Sequence, residues 1–144
     1  MTKITRIKAV MTPFPHWIDA DEPLLAARDM MQKLHVRHLP VKHDGELASV
    51  VTDRDVKFAL DPGLGLPPRE AMRVRDTCVF GVYSVDLETP LFQVLETMAE
   101  RRIGSALVTR HGTLCGIFTA TDACRVFAET LRRKEYPMGD PEVA

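Results

Sequence analysis

Apolar positions along this chain alternate between two spacings. Leu24, Ala27, Met31 and Leu34 recur at helical intervals, as do Leu91, Val94, Leu95 and Met98. Each set forms one apolar stripe and predicts an amphipathic helix, the second spanning Pro90 to Arg101. Asp21 is the expected N-cap of the first, with Pro23 in its opening turn, where a missing N–H costs nothing. Around these helices the apolar runs shorten. His16–Ile18 and Val82–Val85 read as strands that lead into the helices. Leu39–Val41 and Leu47–Val51 flank the turn His43-Asp44-Gly45, and Ala106–Val108 and Leu114–Phe118 flank His111-Gly112, so each pair predicts a hairpin. A further helix begins at Thr52, carries Val56, Phe58, Ala59 and Leu60, and stops at Asp61-Pro62-Gly63. Its counterpart runs from about Thr119 to about Lys134, with Arg132, Arg133 and Lys134 suited to the negative end of the helix dipole.

The two series are one unit written twice. A shift of 67 residues superposes the chain on itself without a gap from Ile7/Val74 to Val56/Ala123. Asp19, Pro23, Leu24, Met31, Val41, Gly45, Leu47, Thr52 and Asp55 recur as Asp86, Pro90, Leu91, Met98, Val108, Gly112, Leu114, Thr119 and Asp122. Pairs such as Ile18/Val85, Val36/Ile103 and Val50/Ile117 keep their character. The expected fold is α/β (α+β), a β-α-β-β-α unit repeated, since one copy has too little interior to be stable alone. Residues 1–60 form the first repeat, 61–73 a linker with a Pro/Gly-rich start, 74–135 the second repeat and 136–144 a disordered tail. Two copies of one unit make a pseudo-twofold body, with a cleft where both present the same residues.

Composition narrows the function classes. Of 144 residues, 45% are hydrophobic and 27% charged, which is ordinary for a globular domain. A net charge of −1 supplies no basic stripe for nucleic acid. The three cysteines, Cys78, Cys115 and Cys124, have no zinc or redox spacing and are expected to be reduced. No apolar run is long enough for a signal peptide or a membrane span, so a cytoplasmic protein without membrane contact is expected.

The recurring polar pair is Thr52-x-x-Asp55 and Thr119-x-x-Asp122. A hydroxyl followed three residues later by an acid at a helix start is the pattern of a capping box, which needs no ligand. The same place suits a nucleotide: helix N–H groups and the positive dipole end attract phosphate, and a carboxylate accepts vicinal ribose hydroxyls. Both readings are compatible.

With Val10-Met11-Thr12-Pro13, Arg37-His38-Leu39-Pro40-Val41, the hairpin glycines and Gly116-Ile117-Phe118-Thr119-Ala120-Thr121-Asp122, the chain resembles a tandem pair of cystathionine-beta-synthase (CBS) domains, a Bateman module, over residues 7–131. The resemblance implies two βαββα repeats packed pseudo-twofold through their sheets. It further implies an adenosine nucleotide (AMP, ADP or ATP) in the cleft between them, and a homodimer of pairs. Carried over by position, Asp55 and Asp122 accept the ribose hydroxyls, with Thr52 and Thr119 beside ribose or phosphate. Ile18 and Val36, with Val85 and Ile103, line the slot for the base, and His16 and Tyr83 stand at its rim. Arg37 is the implied phosphate clamp and His38 its helper.

Two departures set the halves apart. Ser49 stands where the second repeat has Gly116, and Gly104-Ser105 stands where the first has Arg37-His38. One competent site and one degenerate site are expected. The five histidines lack ligand-like spacing, and no serine has the setting of a nucleophile, so neither a metal nor a catalytic residue is expected. The expected function is regulatory, without catalysis, and without a required cofactor. The signal would pass through the dimer or a separate effector protein. The alternatives are a ligand-free dimerisation scaffold and a module that binds S-adenosylmethionine or NAD.

Overall fold

The computed structural model describes residues 3–64, 69–77 and 82–137 of the chain. In chain order its elements are β1 (Thr12–Pro13), β2 (Ile18–Asp19), α1 (Leu24–Leu34), β3 (His38–His43), β4 (Glu46–Thr52), α2 (Asp53–Ala59), β5 (Ser84–Asp86), α3 (Leu91–Arg101), β6 (Ser105–Arg110), β7 (Thr113–Thr119) and α4 (Ala120–Glu135). Short 3-10 turns stand at Ile7–Ala9, Pro62–Leu64, Arg69–Ala71 and Val74–Asp76. The fold is mixed α/β with two sheets, and the order β-α-β-β-α occurs twice, as the duplication predicts. Among the described residues no helix is long and apolar enough to cross a membrane.

The chain forms two compact units, Phe14–Tyr83 and Met1–Pro13 with Ser84–Ala144. In the first, β2 runs parallel to β3, and β3 pairs antiparallel with β4. The turn between β3 and β4 is Asp44-Gly45, both at positive φ (51° and 80°), the two-residue geometry that matches strand twist. Its core gathers Ile18, Leu24, Ala27, Met31, Leu39, Val41, Val51 and Val56, joined by Met72 and Val74. The second unit repeats this plan. β5 is parallel to β6, β6 antiparallel to β7, and His111-Gly112 turn at φ 51° and 80°. Both hairpins even slip register at equivalent points, between Val41 and Lys42 and between Val108 and Thr109. Leu91, Val94 and Met98 of α3 are buried as Leu24, Ala27 and Met31 of α1 are. β1 adds a fourth strand at the free edge of β7.

The units cut across the repeats, because each repeat lends its leading segment to the other copy's helix. The Leu91 N–H at the start of α3 donates to the Thr5 carbonyl (2.8 Å), and that of Leu24 in α1 donates to Met72 (2.9 Å). Ile7 N–H bonds Thr89 and Lys8 N–H bonds Leu87, while Val74 N–H bonds Glu22 and Arg75 N–H bonds Ala20. Every contact has its partner 67 residues away. Ile7 and Val74, both fully buried, anchor the two segments.

These backbone carbonyls correct the expected cap. The residue before α1 is Pro23, with φ −57° and ψ 142°, and no side chain caps the helix. Asp21 instead donates its N–H to Asp19 Oδ1 (2.9 Å) and pairs its carboxylate with Arg75 (3.0 Å). The leading strands also begin later than predicted, at Ile18 and Ser84. The expected tail lies outside the described residues, apart from Tyr136 and Pro137, as do positions 65–68 of the linker.

Candidate functional site

Each hairpin delivers its last strand residue, a threonine, to the start of a helix. Thr52 ends β4 in extended conformation (φ −109°, ψ 160°) and caps α2. Asp55 N–H donates to Thr52 Oγ1 at 3.1 Å, and Thr52 N–H donates to Asp55 Oδ2 at 3.0 Å. Thr119 and Asp122 repeat this at α4, at 3.3 and 2.9 Å. Both capping boxes are therefore complete. The strand before each hairpin contributes as well: the Arg37 carbonyl accepts from Asp53 N–H, and the Gly104 carbonyl from Ala120 N–H, each at 2.9 Å. Two of the first three N–H groups of either helix are thereby already satisfied, leaving the helix dipole rather than a full set of donors for an anion.

In the unit Phe14–Tyr83 these contacts bring Arg37, His38, Thr52 and Asp55 together, since His38 also stands opposite Thr52 in the β3–β4 register. Arg37 is exposed, and His38 and Asp55 are half-buried. Val36, whose N–H bonds the Met31 carbonyl, leaves 37% of its surface open. Ile18 differs: paired with Val41 in the sheet, it is 3% exposed and belongs to the core, so it offers no surface to a base. His16 is exposed on the loop before β2, and neighbouring Trp17 stacks under the Lys42 ammonium, 4.3 Å from the ring centre. Tyr83 is half-buried at the end of this unit. In the other unit Ser105 stands opposite Thr119, Val85 pairs with Val108, and Ile103 is half-buried, its N–H bonded to Met98.

The two carboxylates differ in their partners. Asp122 is 6% exposed, and its Oδ2 accepts from Thr119 N–H and from Thr119 Oγ1 (3.1 Å). Its Oδ1 is paired with the Arg125 guanidinium one turn along α4. Asp55 Oδ1 has no hydrogen-bond partner among the described residues, and Phe58, 66% exposed, stands where the second repeat has Arg125. Arg125 was missed in the sequence, although its spacing of three residues from Asp122 marks a same-face helical pair. At Gly116 the backbone lies close to protein: a Cβ there would meet the Met11 side chain, which follows from the β1–β7 pairing. Ser49, the counterpart of Gly116, is 2% exposed, and its hydroxyl has no partner among the described residues. On β7, burial pushes the Cys115 thiol up, Asp86 adds to the effect and Arg110 opposes it, consistent with an unreactive cysteine.

Two helix starts of this geometry, in a duplicated βαββα frame, define a CBS domain pair. The CBS domain profile matches residues 7–62 and 74–129, and the chain belongs to that family. It is 26% identical over 121 residues to inosine-5'-monophosphate dehydrogenase of Thermoplasma acidophilum, covering 83% of this chain but only 23% of that enzyme. It is 28% identical over 121 residues to YlbB of Bacillus subtilis, covering 83% of this chain and 80% of that protein. Among solved structures, the CBS domain pair of MJ0100, in complex with 5'-methylthioadenosine and S-adenosyl-L-methionine, aligns with a TM-score of 0.78 at 21% identity. That alignment covers 89% of this chain and 99% of MJ0100's pair. CBSX2 in complex with AMP aligns at 0.74 and 22% identity, covering 88% and 98%.

Proposed function

We propose that the chain is a regulatory module, not an enzyme, that binds an adenosine-containing ligand at its Thr-x-x-Asp helix starts and reports occupancy by a change in self-association. The observation that carries the reading is the juxtaposition of Arg37, His38, Thr52 and Asp55: a cation and an imidazole suited to phosphate beside a carboxylate suited to ribose hydroxyls. AMP in CBSX2 and S-adenosyl-L-methionine in MJ0100 support the adenosine class, and AMP, ADP or ATP fits the Arg37–His38 pair best. A second copy of this chain is the expected partner. Ala123, Val126, Phe127 and Leu131 form an apolar stripe along α4, none of it buried in the single chain, and Phe127 is 63% exposed. A hexameric CBS-CP12 protein of the same fold is a precedent for assembly, at 23% identity and a TM-score of 0.76.

Calorimetric titration of nucleotide-stripped protein with AMP, ADP, ATP, S-adenosylmethionine and NAD tests this directly. Asp55→Ala is expected to weaken the bound member of that panel about ten- to a hundredfold, the worth of a hydrogen bond to a charged group, roughly 1.5–3 kcal/mol. Equal affinity in wild type and variant would remove Asp55 from the site. The completeness of both capping boxes favours a second reading, a ligand-free scaffold. Silence across the panel, with Asp55→Ala lowering only the melting temperature, would establish it.

A further inference from the structure

The geometry points to an internal plug: the Arg125 guanidinium occupies the second repeat's carboxylate in place of a ribose, so that the chain binds one nucleoside, through Asp55. This rests on the nucleoside reading above and specifies which of the two repeats carries it. A carboxylate holds a vicinal diol by accepting from both hydroxyls, and it needs open acceptor capacity facing the ligand. Asp122 has little left: Oδ2 takes two donors from Thr119, Oδ1 takes Arg125, and only 9% of its side chain is exposed. Arg125 anchors this arrangement from outside, with 57% of its own side chain in solvent. Admitting a ribose would break an ion pair in which both partners are charged and replace it with hydrogen bonds from neutral hydroxyls.

Asp55 presents the opposite case. Among the described residues only its Oδ2 is engaged, by Thr52 N–H, and the Lys57 ammonium of the same helix pairs with Asp53 at 2.9 Å. Phe58 cannot plug it. The phosphate-suited pair Arg37-His38 lies on this side, whereas the second repeat has Gly104-Ser105. The open carboxylate and the cation thus occur in the same repeat, and the closed carboxylate occurs in the repeat without the clamp.

The test is the stoichiometry of AMP binding by calorimetry, on the full chain. Wild type is expected to bind one AMP per chain. Arg125→Ala and Arg125→Met, the latter keeping an apolar stem, should each raise this to two, and adding Asp122→Asn should return it to one. Asp55→Asn in the wild-type background should weaken that single site about ten- to a hundredfold. Circular dichroism confirms that each variant keeps its helices. Two equivalent sites in wild type would overturn the plug, as would an unchanged stoichiometry of one in both Arg125 variants. Weaker AMP binding in both would also overturn it, making Arg125 a ligand contact. Absence of binding by wild type and every Arg125 variant would instead overturn the nucleoside reading and this proposal together.

Discussion

Gly116 and Ser49 occupy the same place in their two strands, and each carries a cost that its counterpart lacks. At Gly116 a Cβ would run into the Met11 sulfur, with Met11 Cγ and Cε at 3.0 and 3.2 Å. Gly116→Ala is therefore expected to lower stability by about 1 kcal/mol, the low end for overpacking, because the half-buried, flexible Met11 side chain can shift. In a Met11→Ala background the same change should cost much less, and paired urea titrations measure the difference. Ser49 buries a hydroxyl without a partner among the described residues, a group whose desolvation costs roughly 1–3 kcal/mol. Ser49→Ala should leave the melting temperature unchanged or raise it, and a fall would mean that the hydroxyl has a partner. At this scale the sequence was a partial guide. Thr52, Asp55, Thr119 and Asp122 stood out because they recur, whereas Arg125 has Phe58 as its counterpart 67 residues away, and a search for repetition passes over it.

The helices and hairpins were legible because local rules suffice for them. Helical spacing located the start of α3 to within a residue and that of α1 to within two, and Asp44-Gly45 and His111-Gly112 marked the turns. β2 and β5 were less so, since strands of two and three residues carry almost no periodic signal and are held by their parallel partners. Nor could the caps of α1 and α3 be read, because the acceptors are backbone carbonyls of Met72 and Thr5, which no residue type announces. Ile18 was misjudged for a related reason: a strand residue faces core or surface according to register, which the β2–β3 pairing decides. The exchanged segments also make a prediction for their own elements. Ile7→Ala should cost about 2–5 kcal/mol, as deletion of a buried isoleucine does. Hydrogen exchange should show the loss of protection in α3 and β7, with α1 and β3 affected least, because Ile7 belongs to the unit that holds the former pair.

For the molecule as a whole, the repeat is a good description of its ancestry and a poor description of its parts. The α4 stripe gives the assembly-level test: Phe127→Glu places a charge in the middle of that face and should convert a wild-type dimer to monomer in sedimentation. An unchanged mass would put the self-association surface elsewhere. The split of Met1–Pro13 from the rest of its unit also bears on how the protein is made. Translation delivers the chain from its N-terminus, and domains generally fold as units while synthesis proceeds. Phe14–Tyr83 is contiguous and can close as soon as it leaves the ribosome. Thr5 and Ile7 emerge ahead of that unit, yet their donor and acceptor partners, Leu91 and Thr89, emerge more than eighty residues later. A segment born before Phe14–Tyr83 thus finds its place only after that unit is complete.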